Sequence, residues 1–342
     1  MNKKNIFRIV AALFLVACMI GFTLYQRIFS DNVLKDGEIF IGKSDTMAQL
    51  DAKIAPFLED FNSFTWVKSQ KKFKSTEAGR YLIKKGMSNN DIVNMLRIGR
   101  QTPLKVSFNN QDTLEKFVER IAEQLETDSI SLMNAFKNEK FLKENDLTEK
   151  SVLQIFIPNT YEFYWTVSAE DFRTKMLVAY KRFWNKSRLE KAKKLNLSKD
   201  EVIILASIVQ KETAQKSEKP TVAGLYLNRL KKGWPLQADP TVIYVIKEQK
   251  GQDYVVKRVL NVDLEINSPY NTYKNTGLPP TLISMPDQIT IDAVLNAEDH
   301  DYYYMCVNVE KLGYHAFAKT LAQHNRNAVK YHNWLNDQGV NR

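Results

Sequence analysis

A carboxylate ends a strongly apolar helix that this sequence predicts. From Glu201 to Glu212 the chain is almost unbroken in aliphatic residues, and at ~100° per residue Leu205, Ile208, Val209 and Glu212 fall on one stripe. A carboxyl group at the end of a greasy face is partly desolvated, which raises its pKa and keeps it protonated near neutrality, as a general acid requires. The competing reading is a helix that frays at Lys211 and leaves Glu212 in water, the commoner fate of a terminal glutamate.

Downstream lie loops dense in amides, hydroxyls and aromatic rings: Asn228-Arg229-Leu230, Gly233 to Thr241 through Trp234, Gln237 and Asp239-Pro240, Ser268 to Tyr273, and Gly277-Leu278-Pro279-Pro280. Such groups suit sugars, whose hydroxyls take side-chain hydrogen bonds and whose rings stack on aromatic faces. Taken singly each is weak: the double proline is a turn, Asp239-Pro240 opens one, and Trp234 or Tyr273 is more often core than platform.

The elements that must hold these groups are legible. Ser198-Lys199-Asp200-Glu201 is a capping box that opens the Glu212 helix. Residues 37–100 read as strand, helix, helix, strand, helix. Met47, Leu50, Ile54 and Phe57 recur at helical spacing behind the cap candidates Ser44 and Asp45, Ser88 with Asp91 caps the last helix, and Gly99 stops it. Leu104, Val106 and Phe108 alternate as a strand before an amphipathic helix carrying Leu114, Phe117, Val118, Ile121 and Leu125. Eight Lys or Arg with one acid, Glu190, between Lys181 and Lys199 read as a solvated helix face.

The 342 residues suffice for about two domains. Composition is ordinary globular, with 44% apolar and 26% charged residues, which excludes collagen-like and wholly disordered classes. A net charge of +10 favours an anionic neighbour, but no nucleic-acid motif accompanies it, and nucleic-acid binding is not expected. Cys18 and Cys306 are too few for a disulfide framework. From Ile9 to Tyr25 seventeen residues carry no charge, behind Lys3, Lys4 and Arg8. That run predicts a single transmembrane helix contacting the lipid bilayer through residues 9–25, with a cytoplasmic N-terminus and everything after Gln26 outside. Leu15-Val16-Ala17-Cys18 also looks like a lipoprotein cleavage box, although the apolar run continues beyond Cys18; every reading exports the main body.

The stretch Leu205 to Thr213, followed by Asn228-Arg229-Leu230, Pro235 to Tyr244, Ser268 to Tyr273 and Gly277 to Pro280, resembles the YceG-like endolytic murein transglycosylases. Pro158-Asn159-Thr160-Tyr161 upstream and His315, Phe317, Thr320, His324 and Asn325 downstream extend the likeness over roughly residues 36 to 335. The resemblance implies an α+β protein: a cytoplasmic tip and anchor over 1–28, a small LysM-like α+β module over 36–103, a connecting α/β segment over 104–150, and a larger mixed α/β catalytic domain over 151–338. It implies a place in the cell (inner) membrane, peptidoglycan glycan strands as substrate, and partnership with membrane peptidoglycan synthases, the penicillin-binding proteins. Its substrate contacts carry over to Asn228, Gln237, Asp239, Thr241, Tyr244, Tyr270, Asn271, Thr272, Tyr273, His315, His324 and Asn325. Members often have Glu where this chain has Gln210, so the catalytic acid carries over to Glu212 alone; Asn159 stands for the usual Asp, Trp234 for Met, and Thr281-Leu282 for Gly-Pro. Asn159 argues against a second carboxylate at that place.

The implied reaction uses one carboxylate. Glu212 protonates the glycosidic oxygen, then as carboxylate takes the proton from the sugar's own C6 hydroxyl, which closes a 1,6-anhydro ring. Because the nucleophile is intramolecular, positioning replaces a water-activating base. Gln237, Asn271 and Tyr273 are candidate dipoles for the charge that develops on the ring. Two other classes compete: a hydrolase that pairs Glu212 with Asp239, and a non-catalytic wall-binding scaffold. All four histidines, His300, His315, His324 and His332, fall late in the chain, yet none forms a metal-ligand spacing, so neither metal nor cofactor is expected.

Overall fold

The computed structural model describes residues 2–337; Met1 and residue 338, the outer ends of the expected tip and catalytic region, lie outside the described residues. Helix α1 (Lys3–Phe29) is apolar throughout the expected span and none of its residues is buried against protein. Its 27 residues at ~1.5 Å each reach about 40 Å, enough to cross a bilayer.

The remaining elements, in chain order, are β1 (Gly37–Ile41), α2 (Met47–Ile54), α3 (Phe61–Gln70), β2 (Gly79–Ile83), α4 (Asn89–Arg97), β3 (Leu104–Phe108), α5 (Leu114–Ala122), α6 (Ser129–Phe136), α7 (Glu139–Glu144), β4 (Asn159–Phe163), α8 (Ala169–Phe183), α9 (Lys186–Lys194), α10 (Lys199–Glu212), α11 (Lys219–Lys231), α12 (Asp239–Lys250), α13 (Gln288–Leu295), β5 (Tyr304–Val307), β6 (His315–Ala318) and α14 (Leu321–Asp337). They form two compact units. The first takes residues up to 106 with 122–128 and 161–168; the second takes 107–121, 129–160 and everything from 169. The expected connecting segment 104–150 is thus divided between them.

In the first unit β1 pairs antiparallel with β2 in the register Gly37↔Ile83 to Ile41↔Gly79. Alternate strand residues Ile39, Ile41, Tyr81 and Ile83 meet Leu50, Ile54, Phe64, Val67, Ile92 and Leu96 from the helices in one core. Ser88 and Asp91 form the expected capping box on α4, and Gly99, at φ +64°, supplies the left-handed residue that ends it. The cap of α2 differs from expectation. Thr46 and Gln49 make the capping box, because Asp45 is drawn away to the Gly42 amide and the Lys53 ammonium.

No slack joins α1 to this unit. Asn89, 1% exposed, donates through Nδ2 to the Arg27 carbonyl at 2.9 Å and to Ser63 Oγ at 2.9 Å, while its Oδ1 accepts from Asn32 Nδ2 at 2.7 Å. One side chain therefore satisfies a carbonyl that the end of α1 leaves unbonded. Asn32 is in turn held by both backbone groups of Asp60.

The second unit is chiefly helical. Phe117 of α5 packs among Phe108, Phe136, Phe156 and Phe172, and the helix stops at Ala122, short of Leu125. At its centre α10 buries Val202 through Val209 against α11, α12 and α13. The expected Ser198–Glu201 capping box opens it. Of the basic stretch, α9 buries only Ala192, and Arg188 is drawn into a paired contact with Asp292 at 2.8 and 2.9 Å. Strands β5 and β6 form a two-stranded antiparallel sheet, Tyr304↔Ala318 to Val307↔His315.

Candidate functional site

Helix α10 carries its hydrogen bonding through to Glu212 and does not fray: Lys211 is fixed by Asp112 at 2.5 Å, and the Thr213 amide closes onto the Val209 carbonyl at 3.3 Å. Glu212 keeps some exposure, yet protein encloses its carboxyl from α11, where the buried Tyr226 donates its hydroxyl to Oε2 at 3.1 Å. Desolvation raises the pKa of Glu212 above the ordinary carboxylate range, and the negative charge of Asp239 adds to the rise. His315, the Tyr226 hydrogen bond and Arg229 oppose it. The result is a carboxyl group biased toward its protonated form with a phenol ready to receive its charge when ionised.

His315 is held on β6 by Glu218, a carboxylate 4% exposed that accepts the His315 backbone N–H at 2.6 Å and its Nδ1–H at 2.9 Å. The Thr213 hydroxyl, next to Glu212, donates to the same Glu218 oxygen at 2.8 Å. One buried acid thus orients the imidazole and the chain leaving the α10 terminus.

Two loops form a wall beside them. Gln237, at φ +49°, donates its amide to the Thr272 carbonyl at 3.0 Å; the Ala238 amide donates to Thr272 Oγ1 at 3.0 Å; and the hydroxyls of Thr241 and Thr272 meet at 2.8 Å. Asn271, fully buried, donates to the carbonyls of Leu264 and Ile266 at 2.8 Å each and accepts from the Tyr273 amide at 3.0 Å. Asn228 donates to the carbonyls of His300 and Tyr302. The polar atoms of Asn228, Thr241, Asn271 and Thr272 therefore build the walls.

The groups presented outward are others. The Tyr273 hydroxyl donates to Asp239 Oδ1 at 2.6 Å, at the start of α12, and burial with the charges of Asp239 and Glu212 drives its pKa up. Gln237 and Asp239 are exposed. Tyr244 and Tyr270 pack ring to ring at 4.8 Å, the Tyr270 hydroxyl engaging Thr281 Oγ1. His324 on α14 stacks on Tyr304 at 5.4 Å; desolvation lowers its pKa, and its Nδ1 meets no hydrogen-bond partner among the described residues. Asn325 lies exposed on α14, and Trp234 packs on Tyr303 at 5.2 Å.

Sequence reasoning missed Tyr226 and Glu218, and it read Arg229 as part of a polar loop, whereas Asn228-Arg229-Leu230 lies within α11. A tyrosine within an aliphatic helix reads as core, and only its position opposite Glu212 reveals the hydroxyl's task. Arg229, 8% exposed, binds the carbonyls of Tyr303 and Leu236 while its charge acts on Glu212. Among the described residues no group of three or more His, Cys, Asp or Glu side chains could hold a metal ion.

A mostly helical unit with a strand hairpin sets the shielded Glu212 carboxyl group among phenols, amides and an oriented imidazole, with Asp239 on the facing hydrogen-bonding loops. A profile of the YceG-like family matches residues 40–330, and the chain belongs to that family. It is 27% identical over 335 residues to a Bacillus subtilis (strain 168) protein named endolytic murein transglycosylase, covering 91% of this chain and 90% of that one. A Streptococcus pneumoniae (serotype 2) protein of the same name is 26% identical over 297 residues, 79% of this chain and 53% of its own length. A crystal structure of a YceG-like protein from Listeria monocytogenes superposes with a TM-score of 0.57 at 27% identity, covering 85% of this chain and 98% of that one.

Proposed function

We propose that this chain is a membrane-anchored endolytic lytic transglycosylase that cleaves the β-1,4 linkage between N-acetylmuramic acid and N-acetylglucosamine in nascent peptidoglycan strands. The observation that carries this reading is Glu212, a carboxyl group with a raised pKa whose Oε2 accepts the Tyr226 hydroxyl. Protonated, it gives its proton to the glycosidic oxygen. As carboxylate, steadied by Tyr226 and the nearby charges of His315 and Arg229, it takes the proton from the C6 hydroxyl as that oxygen attacks the anomeric carbon. Tyr273 and Gln237 stand beside the ring that bears the developing charge.

Helix α1 serves as a single-pass anchor with its basic tip in the cytoplasm, and the strand-helix-helix-strand order of the first unit supports a LysM-like module that receives the glycan. Membrane peptidoglycan synthases supply the strands. Product masses test the reaction: incubation of uncrosslinked glycan with the wild-type chain yields 1,6-anhydro ends, one water lighter than reducing ends, and Glu212→Gln forms them roughly a hundredfold to ten-thousandfold more slowly. Reducing ends from the wild type identify a hydrolase instead, with Asp239 as the second carboxylate.

A further inference from the structure

Among the described residues Trp234 is the one exposed tryptophan of five, 38% open to solvent on the loop between α11 and α12, and no step above uses it. It does not stand alone. Its ring lies 5.2 Å from that of Tyr303, inclined at 51°, and 6.2 Å from that of Tyr304, inclined at 59°, and both tyrosines are only half-buried. The three rings make an angled aromatic corner on the surface. Lys232 stands at its rim, the ammonium 4.8 Å from the Tyr303 ring and 5.9 Å from the Trp234 ring. Among the described residues no carboxylate pairs with that ammonium and no hydrogen bond engages the Tyr303 hydroxyl.

The corner is fastened one helical turn from the carboxyl group. Tyr226, which donates to Glu212, and Arg229 are three residues apart on α11 and share one face of it, with Cβ atoms about 5–6 Å apart. Arg229 holds the corner from beneath: its Nε donates to the Tyr303 carbonyl at 2.7 Å, its guanidinium carbon stands 5.9 Å from the Tyr304 ring, and its own carbonyl accepts the Trp234 amide at 2.9 Å. From Trp234 the chain passes the Leu236 carbonyl, which Arg229 also binds, and reaches the exposed Gln237 within about 11 Å. A polymer seated at Glu212 continues past it, and one turn of α11 sets this corner beside its path.

We infer that Trp234 and Tyr303 form an outer subsite for a saccharide ring, which takes a sugar of the same glycan strand beyond the pair that Glu212 separates, so that the chain favours long strands over short ones. A sugar ring presents C–H groups on its faces and hydroxyls at its edges. The faces lie against aromatic rings, and the edges require donors and acceptors, which the Lys232 ammonium and the Tyr303 hydroxyl supply at the rim of the corner. An apolar peptide segment calls instead for a continuous greasy patch, which a free ammonium and a free hydroxyl interrupt. The inference rests on the reading of the chain as a peptidoglycan-cleaving enzyme and adds how far along the strand it binds.

The test uses the full-length Glu212→Gln chain in detergent, which turns over too slowly to disturb binding, and two peptide-free probes: long glycan strands and a tetrasaccharide. Adding Trp234→Ala should weaken the long strands about threefold to tenfold, the range of one aromatic contact, and leave the tetrasaccharide within about twofold, which also shows that the site is still folded. Trp234→Phe, which keeps a smaller ring, should retain most of the affinity. Binding of long strands should shift the tryptophan emission of the Glu212→Gln chain, and Trp234→Phe should abolish that shift. Long-strand affinity unchanged by Trp234→Ala, an equal loss for both probes, or an emission shift that survives Trp234→Phe overturns the inference. The cleavage reading is judged separately. A wild type that releases no anhydro ends while Trp234 still separates long strands from short ones sinks the transglycosylase and leaves the subsite standing; anhydro ends from a chain indifferent to Trp234 do the reverse.

Discussion

The Tyr226 hydroxyl and the Glu212 carboxylate, 3.1 Å apart on successive helices, form a shielded pair in which the phenol, donating to Oε2, favours the ionised acid. Desolvation pushes the other way and prevails, so the pKa of Glu212 stays high. Removing the hydroxyl leaves desolvation less opposed. Tyr226→Phe should raise the pKa of Glu212 further and displace the acid-to-base limb of the pH profile of kcat/KM upward. A hydrogen bond to a charged group is worth about 1.5–3 kcal/mol, so kcat should fall roughly 10-fold to 100-fold. An unmoved pH profile would deny Tyr226 this role.

The raised pKa also ties stability to pH. The fold favours the protonated carboxyl, so the wild type keeps this contribution below the unfolded value of about 4.3 and loses it as pH climbs through the higher folded value. Glu212→Gln has the shape without the ionisation. Its melting temperature should match the wild type near pH 4 and exceed it increasingly toward pH 8, while cleavage falls roughly a hundredfold to ten-thousandfold, the usual contribution of a general acid. A constant Tm difference across that range would mean that Glu212 does not titrate in the fold.

Asn89 fastens α1 to the first unit, and its amide has no spare group: both protons and the oxygen are engaged. Asn89→Ala leaves the Arg27 carbonyl without its side-chain donor and one proton of the Asn32 amide unpaired, the other still held by Asp60, in a buried place. At about 1–3 kcal/mol for each group left unsatisfied, the full-length chain in detergent should lose about 2–4 kcal/mol in urea titration. Hydrogen exchange should quicken at the amides of Asn32, Val33 and Leu34, which bond to the backbone of this unit.

Local rules made much of this legible. The boxes Ser88–Asp91 and Ser198–Glu201 and the stop at Gly99 are contacts within a few residues, and the strand alternation of Ile39, Ile41, Tyr81 and Ile83 is a period of two. The apolar stripe placed Glu212 at the rim of a core. What failed was long range. Asp239-Pro240 reads as a turn, yet Asp239 begins α12 with the proline in its first turn, because the Thr241 hydroxyl and the Thr272 loop hold the preceding backbone. Asn271 and Thr272 read as sugar contacts by residue type, and only the folded structure shows that Asn271 spends its hydrogen bonds within its own loop and Thr272 spends its in joining that loop to the start of α12. Glu218 and His315 lie far apart in sequence, and no spacing rule pairs them.

Gln210 offers the last prediction, because its Oε1 accepts from Lys219 at 3.1 Å and from the Asp287 amide at 3.4 Å and stands against the Thr290 hydroxyl, whose one proton is shared between Gln210 and Asp287. A carboxylate would serve these donors better than an amide. Lys219, 2% exposed, now has the Asp287 carboxylate at 3.4 Å, and in Gln210→Glu it would sit between two acids. Ion pairing of a buried ammonium gains from the second charge, while repulsion between positions 210 and 287 takes part of it back. Gln210→Glu should therefore stabilise the chain by about 1 kcal/mol at neutral pH, an advantage that disappears as the new carboxyl is protonated in acid. Lys219→Met should cost about 3–5 kcal/mol by stranding Asp287, and adding Asp287→Asn should recover part of that. Thermal melts of the single variants and the double variant measure both effects. A Gln210→Glu chain that melts below the wild type would mean that Asp287, and not Lys219, governs the electrostatics of the last turn before Glu212.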